Sequence, residues 1–247
     1  MASGPIPVLT NGQSSNVGIW DTGSTALLTV GTRGVLDDGR VFYYARQSAS
    51  AAIVAGKLLM SEIVNTNNED LAVDTHTAGA TVINVTSGSA TDTANAFAGG
   101  YLVVIDDTGE GITYKIVSHP TYTATAAIAF TIEHGLHVAF GAGTTVCLVK
   151  NPWMDPVIAA AAQAHFACGI AQVAVAAGNT TAQFYWCQTW GVTCGWQDTT
   201  TAAGVNLTSG ATAGQVEING GTDQYIGMTL IVGETAEYQP IFLNIAP

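Results

Sequence analysis

Residues 99–150 read GGYLVVIDDTGEGITYKIVSHPTYTATAAIAFTIEHGLHVAFGAGTTVCLVK, and this stretch decides the fold. Tyr101-Leu102-Val103-Val104-Ile105 is a short apolar run of good strand formers. Asp106-Asp107-Thr108-Gly109-Glu110-Gly111 is a polar turn with two glycines. Ile112 to Val117 then runs back with Ile112, Tyr114 and Ile116 on one face and Thr113 and Lys115 on the other. This spells a β-hairpin with a loop longer than the minimal two residues. Further strands are predicted over 126–132, 136–140 and 144–149, the first two joined at Glu133-His134-Gly135.

Working outward, Asp38-Gly39 is a strong hairpin signal ahead of the strand 41–45. Strands are also predicted over 26–31, 57–60, 81–86, 171–177, 182–188, 225–232 and 238–245. Residues 49–59 read either as a short helix or as a loop entering the strand 57–60. Trp190, Val192 and Trp196 are expected to be buried. Asp155 as N-cap with Pro156 at the first helical position predicts a short helix through Ala164. The prediction is an all-β protein, a β-sandwich or β-barrel of short antiparallel strands with at most one or two short helices. An extended N-terminal arm is expected over 1–25, a β-rich domain over 26–150, and a second β-rich half over 151–247, with Asn151–Pro156 as the boundary. No fixed-period repeat is visible.

Composition narrows the function. Of 247 residues, 48% are hydrophobic and only 10% charged, against roughly 25% charged in ordinary soluble domains. Such a surface suits a protein that covers itself with partners or copies; the plainer alternative is a neutral, Thr-rich monomer surface. The net charge is −12. The 6 basic residues, all before position 151, are too few for a Lys/Arg footprint on phosphates, so direct nucleic-acid binding is not expected. Met1–Pro7 lacks the basic and apolar regions of a secretory signal. The uncharged span between Asp155 and Asp198 is too interrupted by polar residues and glycine to predict a membrane helix. Of the four cysteines, Cys187 and Cys194 are spaced for a hairpin disulfide if strands pair there; buried free thiols are the other reading.

Val17-Gly18-Ile19-Trp20-Asp21-Thr22-Gly23-Ser24-Thr25 resembles an aspartic-protease active-site loop, and Asp107-Thr108-Gly109 repeats its core letters. Such enzymes hold two carboxylates close enough to share a proton. The separation of Asp21 and Asp107 is too short for the bilobal enzymes, Glu110 replaces the expected hydroxyl, and Asp-Thr-Gly is also an ordinary turn. Glu133, His134 and His137 are metal-ligating types, but positions three apart on a strand diverge and a site needs three or four ligands. His119 and His165 are isolated, and Cys168 near His165 lacks a third group to orient the base. No catalytic, cofactor or metal residues are therefore assigned. Phe184, Tyr185, Trp186, Trp190 and Trp196 could stack on a sugar or anchor an interface.

Val41–Ala45 with Ala52–Leu58, Gly99–Ile116, Val146–Trp153, Phe184–Gly191 and Tyr238–Ile245 together resemble segments of structural proteins in tailed-bacteriophage heads. The resemblance implies a non-catalytic decoration or cement protein of the virion, assembled in the host cytoplasm and bound to the capsid exterior. Its implied partners are the major capsid protein and copies of itself as a homotrimer, without cofactor, nucleic acid or membrane. The alternative class is a receptor- or glycan-binding surface module using the tryptophans.

Overall fold

The computed structural model describes residues 7–10, 13–48, 51–61, 64, 66–160, 166–177, 181–221 and 223–247. Along the chain the strands are β1 (Pro7–Thr10), β2 (Gln13–Gly18), β3 (Arg33–Val35), β4 (Val41–Arg46), β5 (Leu58–Met60), β6 (Leu71–Ala72), β7 (Val82–Thr86), β8 (Tyr101–Asp106) and β9 (Thr113–Ser118). They continue as β10 (Ala127–Ile132), β11 (Thr145–Val149), β12 (Val157–Ile158), β13 (Ala167–Ala171), β14 (Phe184–Trp196), β15 (Asn206–Ser209), β16 (Val216–Ile218), β17 (Gly227–Thr229) and β18 (Tyr238–Asn244). One 3₁₀ turn, Thr66–Asn68, is the only helical element among the described residues. The all-β class expected from the sequence is what forms.

The chain divides into two units. The first joins Met1–Glu62 to Pro152–Pro247, and the second is Ile63–Asn151. The serial division expected from the sequence, 26–150 then 151–247, is not the one observed. Pro152 does mark a boundary, but the first 62 residues belong with the C-terminal part. The reason is strand pairing across a long sequence separation: β4 lies directly against β14.

The second unit is a nearly closed antiparallel barrel with strand order β6-β11-β8-β9-β10-β7. A bridge between Val73 and Val85 brings the two end strands together. Strict alternation builds its core: Leu102, Val104, Tyr114, Ile116, Ile128 and Phe130 point inward, while Tyr101, Thr113 and Lys115 point out. The hairpin read from 99–118 is β8–β9, with Tyr101 opposite Lys115 and Val103 opposite Thr113. The expected strand 136–140 does not form; Phe140 makes a single bridge to His76.

The first unit is an open, curved sheet of order β16-β15-β17-β18-β14-β4-β3-β1-β2, with β13, β5 and β12 branching from β14. Its spine is the 13-residue β14. The first half of β14 pairs with β4 on one edge and β13 on the other. Both of its faces are covered: Tyr185 and Cys187 enter one apolar cluster and Trp186 the opposite one. The Trp186 indole N–H donates to the Val17 carbonyl at 3.2 Å. A register shift against β4 between Gln188 and Trp190, with Gly191 at φ +90°, bends the strand. Its second half pairs with β18 instead.

Three further expectations are corrected. Residues 7–10 and 13–18 of the expected arm pair as β1 and β2, and β1 pairs with β3; Val17 and Ile19 are buried, which ties the segment down. Residues 26–31 form turns rather than a strand. No helix starts at Pro156, because Asp155 adopts φ +56° and the following β-branched Val157-Ile158 pair with β5; residues 161–164 of that prediction lie outside the described residues. The segment 152–155 instead runs along β4: Trp153 stacks on Tyr43 at 3.8 Å, and the Arg46 guanidinium meets the Asp155 carboxylate at 3.3 Å.

Candidate functional site

The second half of β14 alternates large and small residues. Trp190, Val192, Cys194 and Trp196 share one face, and Gly191, Thr193 and Gly195 the other. The small side packs inward: a Cβ added to Gly195 would come within 2.6 Å of the Ile241 side chain. The large side therefore faces out. Across the sheet, Val192 stands opposite Phe242 and Phe242 opposite Met228. In the next row Cys194 stands opposite Pro240, whose carbonyl accepts the Leu230 N–H at 3.2 Å. In the last row Trp196 stands opposite Tyr238, ring centroids 5.6 Å apart.

None of these nine outward side chains is charged. Val192 is 51% exposed, Tyr238 48%, Leu230 42% and Met228 36%, and the apolar surface continues into Ile231 and Val232 at 46% and 57%. A solvated sheet face normally carries polar residues, so this face departs from what water alone would select. Val192, expected from sequence to be buried, is among the most exposed. Phe242 and its neighbours Ile241 and Leu243 are apolar on both faces of β18, so sequence parity gave no way to tell the inner face from the outer. The alternation of large residues with Gly191, Thr193 and Gly195 was the one available signal.

At the Trp190 end the face dips into an open cleft of about 490 Å³ lined by Asp38, Arg40, Trp190, Val192 and Phe242 with two glycines. Trp190 meets Phe242 edge to face at 5.5 Å. The β3–β4 turn supplies the polar wall. Asp38 accepts the Arg40 backbone N–H at 3.0 Å and its Nε–H at 2.7 Å. Partial burial pushes the Asp38 carboxyl up, but the Arg40 groups outweigh it and hold it below the usual carboxylate range. A Cβ on Gly191 would lie 2.9 Å from Arg40 Cγ, so the glycine is what lets Arg40 lie close. At the other end, Lys57 Nζ sits 3.8 Å from the centre of the Trp196 ring. The chemistry on offer is stacking and apolar contact with a fixed guanidinium at the edge.

The other sequence candidates fall elsewhere. Asp21 and Asp107 belong to different units, and each carboxylate is committed to its own loop. Asp21 accepts the Gly18 N–H at 2.7 Å, and Asp107 lies 3.4 Å from the Thr144 hydroxyl. Asp107-Thr108-Gly109 is the hairpin turn, with Asp107 at φ +61° and Gly109 at φ +94°. Glu133 pairs with Lys115 at 3.7 Å, and His134 and His137 are exposed. Among the described residues no group of three or more ligand-type side chains could hold a metal, and no helix is long and apolar enough to cross a membrane. His165 lies outside the described residues. Cys187 and Cys194 sit on the same strand, roughly 20 Å apart at the usual rise per residue, so they cannot bridge; all four cysteines are free. Phe184, Tyr185 and Trp186 are taken up by packing, with Tyr185 and Trp186 fully buried. No protein-family model, curated protein or solved structure matches the chain.

Proposed function

We propose that this chain is a structural protein of a virus particle, a decoration protein that binds the outer capsid surface and stabilises contacts between major capsid subunits. The observation that carries this reading is the charge-free outward face of β14, β18 and β17. An apolar face of that extent marks a surface for another protein. The head-protein resemblance of residues 41–45, 52–58, 99–116, 146–153, 184–191 and 238–245 suggests the kind of particle. Net charge of −12 lying outside that face suits a particle exterior that must stay dispersed. Many weak contacts on a repeating lattice would suffice for stable attachment. The test is co-sedimentation with purified capsids. Saturation at a fixed ratio to the major capsid protein, lost in Val192→Asp, is expected; failure to bind any capsid lattice would sink the proposal.

The cleft favours a second reading, a glycan-recognising surface module in which Trp190 stacks on a sugar ring. Glycan-array binding that disappears in Trp190→Ala would support it.

A further inference from the structure

The loop that follows β16 reads Asn219-Gly220-Gly221-Thr222-Asp223. Both ends of the Asn219 side-chain amide are engaged by the backbone of that loop. The Gly221 N–H donates to Oδ1 at 2.7 Å, and Nδ2 donates to the Asp223 carbonyl at 3.0 Å. We infer that Asn219 is a self-modification site: in the folded chain the Gly220 backbone nitrogen attacks the Asn219 side-chain amide, and the residue ends as aspartate or isoaspartate. The reaction lies outside the structural reading above and does not depend on what covers the apolar face.

The only co-reactant is water. The Gly220 nitrogen gives up its proton to solvent and bonds to Asn219 Cγ; the Cγ–Nδ2 bond breaks, and ammonia leaves with a proton taken from solvent. Water then opens the five-membered imide at either of its carbonyls. One water is consumed, one ammonia is released, and nothing is oxidised or reduced. The loop favours each part of this. The ring closed by the Gly221–Oδ1 hydrogen bond runs through the Asn219–Gly220 peptide, which turns Cγ towards the Gly220 side of its own backbone. The Gly221 N–H is aimed at the oxygen on which negative charge develops during the attack. The Asp223 carbonyl holds the nitrogen that leaves. The attacking residue is unhindered: Gly220 is exposed, and a Cβ added there would meet nothing within 4 Å. The Asn219 backbone N–H donates to the Asn206 carbonyl at 2.9 Å, so the strand side is anchored and the glycine side supplies the rotation that ring closure needs. Asp38-Gly39 is an internal control. It makes the same turn, with the Arg40 N–H on Asp38 Oδ1 at 3.0 Å, but an ionised carboxylate is a poor target for a nucleophile. Asn11-Gly12 shares the two letters and lies outside the described residues. The product at position 219 puts a carboxylate beside the Asp223 carbonyl and removes the Nδ2–H that bridged to it. Isoaspartate also lengthens the backbone by a methylene just beyond β16, the end strand of the sheet.

The test is a time course on the purified full chain at pH 7 and pH 8. Peptide mapping by mass spectrometry should find a gain of about 1 Da on the peptide that holds Asn219, resolved by chromatography into aspartate and isoaspartate forms, with Asp38 unchanged. The rate should rise roughly tenfold between the two pH values, because the attacking nitrogen must first lose its proton. The folded chain should convert at least as fast as the same chain unfolded in urea, a result that the dipeptide alone would not give. Gly220→Val should slow the conversion at least about tenfold by crowding the nucleophile, with native circular dichroism, since its side chain enters open space. A folded chain that converts more slowly than the unfolded one, or a rate unchanged in a folded Gly220→Val, overturns the inference. The comparison of folded with unfolded chain decides the matter whatever the valine does to folding.

Discussion

Lowering the pH from 7 to 5 should destabilise the barrel of the second unit through one residue, His119. The side chain is buried among the rings of Phe130, Phe97 and Tyr122, at 4.8, 5.7 and 5.7 Å. Its Nε2 lies 3.0 Å from the Phe97 backbone nitrogen and accepts that N–H. Its Nδ1 lies 2.8 Å from the Pro120 carbonyl and is assigned the proton by that bond. Burial pushes the imidazole below its ordinary value. The Pro120 carbonyl and Asp92 partly offset this, and Lys150 reinforces it. The sign follows: the unfolded chain takes up a proton near pH 6.5, and the folded barrel does so only at lower pH. Stability is complete above the unfolded value and falls as the pH drops below it towards the folded one. Protonation also turns Nε2 into a donor facing the Phe97 N–H, which costs about 1–3 kcal/mol for the lost bond. The slope contributed by one proton is at most about 1.4 kcal/mol per pH unit. Hydrogen exchange of the β8–β10 amides in a urea series at pH 7, 6 and 5 measures it. His119→Gln keeps an acceptor near Nε2 and should flatten the profile while losing about 1 kcal/mol at pH 7. A wild-type barrel equally stable at pH 7 and 5, or an unchanged slope in the variant, refutes the reasoning.

Trp186→Ala should cost the first unit about 3–5 kcal/mol, read by urea unfolding with the remaining tryptophans, all of which lie in that unit, as the probe. Gly191→Ala should lose about 1–2 kcal/mol from its positive φ alone, and more because its Cβ would lie 2.9 Å from Arg40 Cγ; the same unfolding experiment checks it. In the folded protein a maleimide should label Cys194, and Cys168 and Cys187 only after denaturation, as peptide mapping would show. The apolar surroundings of Cys194 push its thiol up, so its labelling rate should climb at a higher pH than that of free cysteine.

The β8–β9 hairpin was legible because its two strands are close in sequence and one face of each alternates. The strand 41–46 was legible for the same reason, through Asp38-Gly39. What defeated sequence reasoning was distance along the chain. The pairing of β14 with β4 joins Trp186 to Tyr44 with the whole second unit between them, and no local pattern encodes that. The flanking Asp155-Pro156 predicts helix over Val157-Ile158, yet pairing with β5 overrides that local signal. The outward face was the hardest feature. Both parities of β18 are apolar, so only the packing of Gly195 against Ile241 shows which side is turned to water.

The pairing of β12 with β5 bears on the order of folding. These strands are neighbours in the sheet, Val157 opposite Met60, although the entire barrel separates them along the chain. Within the barrel, β6 and β11 are also neighbours, Ala72 opposite Thr145. Forming the barrel therefore draws its own first and last strands side by side. A long closure becomes a short one, which lowers the entropic cost of seating β12 on β5 by roughly 1 kcal/mol. Once formed, the inserted barrel thus acts as an internal clasp for the sheet that hosts it.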